Sequence, residues 1–466
     1  MSFKLDQELA ATGTRFLLLP LPHYVDPNVP PEEVTVSVPP DKIQPGPGDD
    51  RMFVVDAVNK LPYSDFFRLP YTGTKNPPVP PGPDGHFTHL APGTREFSIA
   101  TMYATVRRAL DIWEDYFGHH IEWHFESDFA KLELIPLIEW DNAQSGYGFL
   151  EFGFGRKPMG GIDHSRPYCE NFDVLVHEFG HSIVFSQVGV PSNPSDPAID
   201  YGGLHEASGD LTAIVSVLHF NTVVDRLLDR TRGNLFTVNE LDRVGELSAD
   251  RHIRVAFNDL RMTDVGNEPH ERSLPLTGGV FDILVEVFQK ELVAKNLISP
   301  DLATRSTLGP GRFQDLEEMQ GEFDEAYQGK QKEFKTALLV ARDYLGRLLA
   351  KTWGSLRPPN FLTYHDVLRA LLRADRDPRV SGGKHQDTIR ACFAWRGINL
   401  LPTAFLMRPR SLRECGLLPA TLSAAEPGIK HSAPPPAPEK AQDYGAAGGV
   451  RNVAAKPAPK SGRKKS

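Results

Sequence analysis

The segment Asp173-Val-Leu-Val-His-Glu-Phe-Gly-His-Ser-Ile-Val-Phe185 carries two histidines four residues apart, with a glutamate directly after the first. On a helix that spacing puts His177 and His181 on one face, where two neutral imidazoles can bind one zinc ion. Glu178 stands beside them, placed to take a proton from water that the metal activates. A catalytic zinc wants a third protein ligand and an open position. The next helical stretch, Gly203-Leu-His-Glu-Ala-Ser-Gly-Asp-Leu211, sets Glu206 and Asp210 four apart on one face. Glu206 can complete a His2Glu set, and Asp210 can accept the second ring N–H of a ligand histidine. His205 is the competing ligand, about 100° further round the helix; Glu206 is preferred.

These residues need elements to hold them. Val174, Leu175, Val176, Ile183 and Val184 supply the buried side of the first helix, and Leu211, Ile214, Val215 and Leu218 that of the second. Upstream, Met102, Val106, Ala109, Leu110, Trp113 and Phe117 recur at helical steps, and Gly118 follows as a stop. His119, His120 and His124, just beyond that stop, read as exposed histidines. Leu132 to Glu139 and Gly146 to Phe154 read as short strands and hairpins, broken by Pro136 and glycines. Helical periodicity returns in Val280–Val293, Glu322–Trp353, Tyr364–Ala374 and Thr388–Trp395. Residues 27–50 and 76–85 are dense in proline and glycine and read as linkers or extended wrapping segments.

The expected organisation is a Pro-rich N-terminal extension over 1–95, a β-rich lobe over 96–172, and an α-helical lobe over 173–400 that carries the metal site. Residues 401–466 form a C-terminal segment whose part beyond about 425 is low-complexity and reads as a disordered tail.

Composition narrows the classes. The chain has 466 residues, three cysteines and a formal net charge of −9. Cys169, Cys392 and Cys415 have neither CxxC nor zinc-finger spacing, which excludes a disulfide-rich scaffold and fits reduced thiols. No run approaches the ~20 apolar residues of a membrane span, and Phe16–Leu21 is too short for a Sec signal core. The expectation is a cytoplasmic chain without a membrane span, export by a non-Sec route being left open. The last 42 residues hold eight Lys/Arg against three acids, so that the tail is about +5 and the body about −14. The tail reads as a solubilising segment that can contact an acidic partner; nucleic acid is not the expected partner.

With those motifs in hand, the stretch from Phe97 to Ile398 resembles the thermolysin-like metallopeptidases, which are gluzincins. Glu206 and Asp210 match the family's second motif, whose glutamate is the third zinc ligand and whose aspartate supports a zinc-bound histidine. Asn142-Ala143, followed by Gly153-Phe-Gly155, resembles the edge strand that holds an extended peptide by main-chain hydrogen bonds. Leu260-Arg261-Met262 resembles the segment whose arginine binds the substrate carbonyl, with Arg272 as the alternative. His270-Glu-Arg-Ser273 resembles the segment whose histidine stabilises the tetrahedral intermediate, and Tyr201 is the match for the tyrosine that assists it.

The resemblance implies an α+β, two-lobed zincin with a cleft between a β-rich and a mainly α-helical lobe. It implies a zinc-dependent endopeptidase acting on peptide or protein substrates, with Zn2+ on His177, His181 and Glu206 and with Glu178 as general base. The competing expectation is a catalytically weak gluzincin-like domain that binds peptides or proteins. A zinc aminopeptidase ranks last, since no GxMEN-type motif is present.

Overall fold

A computed structural model describes residues 4–400 except 64–69, 158, 192–197, 237–242, 245–253, 257, 307–315 and 358–360. The expected basic tail and Cys415 lie outside the described residues.

Helix α1 (Lys4–Leu9) leads into an antiparallel pair, β1 (Thr14–Leu18) and β2 (Glu32–Val36). Alternation puts Phe16 and Leu18 of one strand and Val34 and Val36 of the other into the main core. The proline-rich chain beyond them wraps the body, with backbone pairings Gln44–Gly48 and Gly46–Val79. Strand β3 (Met52–Val54) then joins the principal sheet. The described residues before α2 thus contribute strands and core side chains.

Helix α2 (Arg95–Phe117) begins where Thr94 caps the Phe97 N–H and ends at Gly118, whose φ of 73° is the left-handed stop expected there. Ile99, Met102, Val106, Leu110 and Trp113 bury its apolar side. Buried polar residues fasten the N-terminal pair to it: Asp111 accepts from the Ser37 N–H at 2.8 Å and from its hydroxyl at 2.6 Å.

Strands β4 (Leu132–Ile135), β5 (Ala143–Gly146) and β6 (Phe149–Phe152) complete a four-stranded sheet in the order β3-β4-β6-β5. The β3–β4 and β4–β6 pairs are parallel and β6–β5 antiparallel, which leaves β5 at an edge. A hairpin of β7 (Phe154–Arg156) and β8 (Ile162–Pro167) follows.

The remainder is mainly helical: α3 (Phe172–Gln187), α4 (Ile199–Val217), α5 (Asn221–Thr231), a short pair β9 (Arg243–Val244) and β10 (Arg254–Val255), α6 (Pro269–Ala294), α7 (Pro300–Arg305), α8 (Leu316–Tyr327), α9 (Gln331–Trp353), α10 (Tyr364–Asp375) and α11 (Gln386–Trp395). The result is a mixed helix and sheet architecture, compatible with the expected α+β class. Helix α4 packs extensively on both α3 and α6, and α9 packs on α2, α6 and α10.

Two helices differ from the periodicity reading. The helix expected over Val280–Val293 starts eleven residues earlier, at Pro269, and runs through Pro275. The stretch expected as one helix over Glu322–Trp353 is two, because Gly329 takes a φ of 74° between α8 and α9. Among the described residues no single helix is long and apolar enough to cross a membrane.

Candidate metal and catalytic site

Helix α3 starts at Asn171, whose side chain accepts the Val174 N–H, and buries Val174, Leu175, Val176, Ile183 and Val184. That burial fixes the rotation of the helix, and His177 and His181 are left facing α4 with ring centroids 4.7 Å apart and planes at 84°. His177, Glu178 and His181 can present ligand atoms that all lie within 4.8 Å of one another.

Helix α4 brings Glu206 to both rings. His177 Nε2 is 3.6 Å from Glu206 Oε2, and His181 Nε2 is 3.9 Å from Glu206 Oε1. A tetrahedral ion with bonds of ~2.1 Å keeps its ligand atoms about 3.4 Å apart, and these two separations, each to a different oxygen of Glu206, lie near that value; His181, His205 and Glu206 form a second group whose ligand atoms all lie within 4.8 Å of one another, so His205 stays a competing ligand. His177 Nδ1 lies 3.0 Å from Asp210 Oδ1, so Nδ1–H donates to the carboxylate and Nε2 is the atom turned toward Glu206. The tautomer follows from this pairing. Glu206 and Asp210 are wholly buried and His177, Glu178 and His181 nearly so.

His205 is close as well. Its ring stacks on His181 at 4.2 Å with a 4° interplanar angle, and Phe185 covers it at 4.3 Å. Burial pushes its pKa down to about 4, opposed by Glu206 and aided by His177, so the ring is neutral at pH 7. His124, expected to be exposed, is instead held among Phe125, Tyr147 and Phe185, and burial pushes its pKa down to about 3. His119 and His120 are exposed.

His270 reaches the same cluster from the start of α6. Its Nε2 is 3.4 Å from Glu206 Oε2, and its Nδ1 donates to Glu268 Oε1 at 2.6 Å. Glu268 is also the N-cap of α6, accepting the Glu271 N–H at 2.9 Å. Burial raises the pKa of the Glu268 carboxyl, but the bonds from His270 and the Glu271 N–H outweigh it and leave the group below its ordinary value. Glu268 thus turns Nε2 of His270 inward.

The other expected residues sit differently. The Tyr201 hydroxyl donates to the Gly189 carbonyl at 2.7 Å. The Arg261 guanidinium lies over Trp395, 4.0 Å from the ring centroid. Arg272 is paired with Asp200 at 2.8 Å. Ala143 opens the edge strand β5, which packs against α3, and Asn142 accepts the Gly153 N–H through its carbonyl at 2.9 Å. Ser145 of β5 and Ser182 of α3 approach to 3.2 Å through their hydroxyls.

Residue-type reasoning overlooked the glycines that let α3 and α4 meet. A Cβ on Gly180 would stand 2.9 Å from the Gly209 Cα, and a Cβ on Gly209 would stand 2.5 Å from His177 Nδ1. The available signal was their position, one inside each motif, at His-Glu-Phe-Gly-His and Ser-Gly-Asp. Glu268 was also missed; its signal was a carboxylate two residues before His270 at a Pro-initiated helix start.

No protein-family model and no curated protein matches the chain. Among solved structures, the precursor of protealysin, a metalloproteinase from Serratia proteamaculans, aligns with a TM-score of 0.38 and 13% identity, over 74% of this chain and 86% of that one. A likeness of that size identifies no family, and what bears on function is the geometry of His177, His181, Glu206, Asp210 and His270.

Proposed function

We propose that the chain is a zinc-dependent peptidase that cleaves internal bonds of peptide or protein substrates. The observation that carries this reading is the meeting of three helices at one carboxylate. His177 and His181 of α3 and His270 of α6 all approach Glu206 of α4, with Glu178 in the same turn as the first two.

In this reading His177, His181 and Glu206 hold the zinc, and Asp210 keeps His177 in the tautomer that offers Nε2. Zinc bound there would lower the pKa of water toward ~7 and polarise a substrate carbonyl. Glu178 takes the proton of the attacking water and returns it to the leaving amine. His270, whose Nδ1–H is given to Glu268, presents Nε2 as a donor where the carbonyl oxygen becomes negative when the ring is doubly protonated, an interaction worth roughly 10²-fold to 10³-fold if it matches other oxyanion donors. The position of β5 at the sheet edge beside α3, unpaired on its outer side among the described residues, supports the binding of an extended peptide as an added strand.

One observation favours the second reading, a peptide-binding domain with weak catalysis. Tyr201, which the resemblance assigned to the oxyanion, and Arg261, which it assigned to the substrate carbonyl, are engaged by Gly189 and Trp395. The test is zinc content and cleavage of casein by the wild type and by Glu178→Gln. The peptidase reading expects one zinc per chain in both proteins and cleavage by the wild type alone. Zinc without cleavage in either moves the assignment to the binding domain; no zinc in either removes the site.

A further inference from the structure

The helix that carries Glu206 and the helix that carries His270 begin side by side, tied by residues outside the metal cluster. Asp200, in the first turn of α4, accepts from Arg272 Nε at 3.0 Å and Nη2 at 2.8 Å on one carboxylate oxygen. Its other oxygen accepts the N–H of Tyr364, the first residue of α10, at 2.9 Å. The Tyr364 hydroxyl donates back to the Arg272 carbonyl at 2.8 Å, which closes a ring of contacts through three helix starts.

The backbones are close enough to make the contact stiff. A Cβ on Gly203 would stand 2.1 Å from the Tyr364 hydroxyl oxygen and 2.9 Å from Arg272 Cγ, and one on Gly202 would stand 3.3 Å from Pro269 Cγ. The Arg272 and Asp200 side chains are 20% and 16% exposed, so the pair is partly desolvated and its hydrogen bonds are charge-assisted. Arg272 lies two residues after His270, and Asp200 six residues before Glu206. A slip of α6 along α4 cannot occur without breaking this ring, and it would move His270 Nε2 from its place 3.4 Å from Glu206 Oε2.

We infer that Asp200, Arg272 and Tyr364 form a positioning clamp that sets His270 against the metal-ligand glutamate. The inference rests on the peptidase reading above. It also gives Arg272 a role other than binding the substrate carbonyl, because its guanidinium is committed to Asp200.

The test uses the full chain and casein cleavage, with kcat, KM and zinc content measured for the wild type, Asp200→Asn, Tyr364→Phe, His270→Ala and the Asp200→Asn/His270→Ala double variant. A misplacement near 1 Å can cost on the order of 10²-fold, so Asp200→Asn is expected to lower kcat by about 10-fold to 100-fold, with KM and zinc content little changed. Tyr364→Phe keeps the ion pair and should fall in the same direction by less. With His270 already gone, Asp200→Asn should cost almost nothing further, because the clamp acts through that ring.

An unchanged kcat in Asp200→Asn, or equal losses with and without His270, overturns the clamp. If Asp200→Asn loses zinc or fails to fold, Tyr364→Phe alone and combined with His270→Ala decides by the same two criteria. A wild type that cleaves nothing overturns the peptidase reading and the clamp together; a wild type that cleaves while Asp200→Asn keeps full kcat overturns the clamp only.

Discussion

Gly209 lies where α3 and α4 are in close contact, and on the zinc reading its replacement by alanine tests whether their separation sets metal affinity. The added methyl would stand 2.5 Å from His177 Nδ1, 2.6 Å from its Cε1 and 3.0 Å from its carbonyl oxygen. Ordinary contact begins at 3.4 Å, so the deepest overlap is 3.4 − 2.5 = 0.9 Å. Neither neighbour yields cheaply, since the carbonyl belongs to the backbone of α3 and the imidazole is held at 3.0 Å by Asp210, the next residue along. The helices must therefore part by about the amount of the overlap.

The folding cost of that overpacking is about 1–3 kcal/mol, and alanine returns about 1 kcal/mol of helix propensity, so the net loss is about 0–2 kcal/mol. Zinc binding should suffer more than folding, because metal–ligand distances tolerate only about 0.2 Å of error. Disturbing a ligand's support typically costs 10-fold to 100-fold in metal affinity, and Gly209→Ala is expected at or beyond the upper end of about 100-fold. The assay is competition for zinc against a chromophoric chelator, run beside urea unfolding of the metal-free protein. Gly321→Ala in α8 is the control: nothing lies within 4 Å of its Cβ, so it should leave zinc affinity unchanged and stabilise by up to about 1 kcal/mol. A Gly209→Ala protein that binds zinc as tightly as the wild type would refute the reasoning.

Further outcomes follow from the residues around the site. Glu268→Gln replaces a charge-assisted bond to His270 by a neutral one, worth about 1 kcal/mol, so kcat should fall about 5-fold with zinc content unchanged; full activity would remove Glu268 from the mechanism. His124 titrates at about 3 when folded against 6.5 when unfolded, so its contribution to stability is complete above pH 6.5 and is lost as pH falls toward 3. At pH 5.5 that loss is about 1.4 kcal/mol, and His124→Phe should lose correspondingly less stability between pH 7 and 5.5 in urea unfolding. Equal losses in the two proteins would show that His124 is not held neutral by the fold.

The meeting of histidines and carboxylates on two helices was legible in the sequence because its information is local. Four-residue spacing on a helix places His177 with His181 and Glu206 with Asp210 whatever the rest of the chain does. The apolar residues flanking them said which way each helix turns, and α2 was legible for the same reason, down to its stop at Gly118. What was not legible depends on contacts between segments distant in sequence. The hydroxyl of Tyr201 finds the Gly189 carbonyl across a loop, and Arg272 finds Asp200 seventy-two residues away. The burial of His124 comes from Tyr147 and Phe185, which no periodicity near Gly118 announces.

The start of α6 shows how a functional position can be hidden by the residues that build it. Pro275, Gly278 and Gly279 weaken the helical pattern, so periodicity places the start at Val280 and leaves His270 in an unassigned stretch. In the structure those residues admit neighbours. A Cβ on Gly278 would stand 2.8 Å from the Arg396 guanidinium carbon, and that buried arginine is bound to Asp282 one helical turn further on, at 2.6 Å. The same anchor reaches back to Asn258 and the Leu260 carbonyl, each at 3.0 Å, ahead of the stretch that leads to His270. Low helix propensity at Gly278 is therefore the local cost of a tertiary contact that steadies α6, and with it the His270 ring that approaches Glu206 from outside α3 and α4.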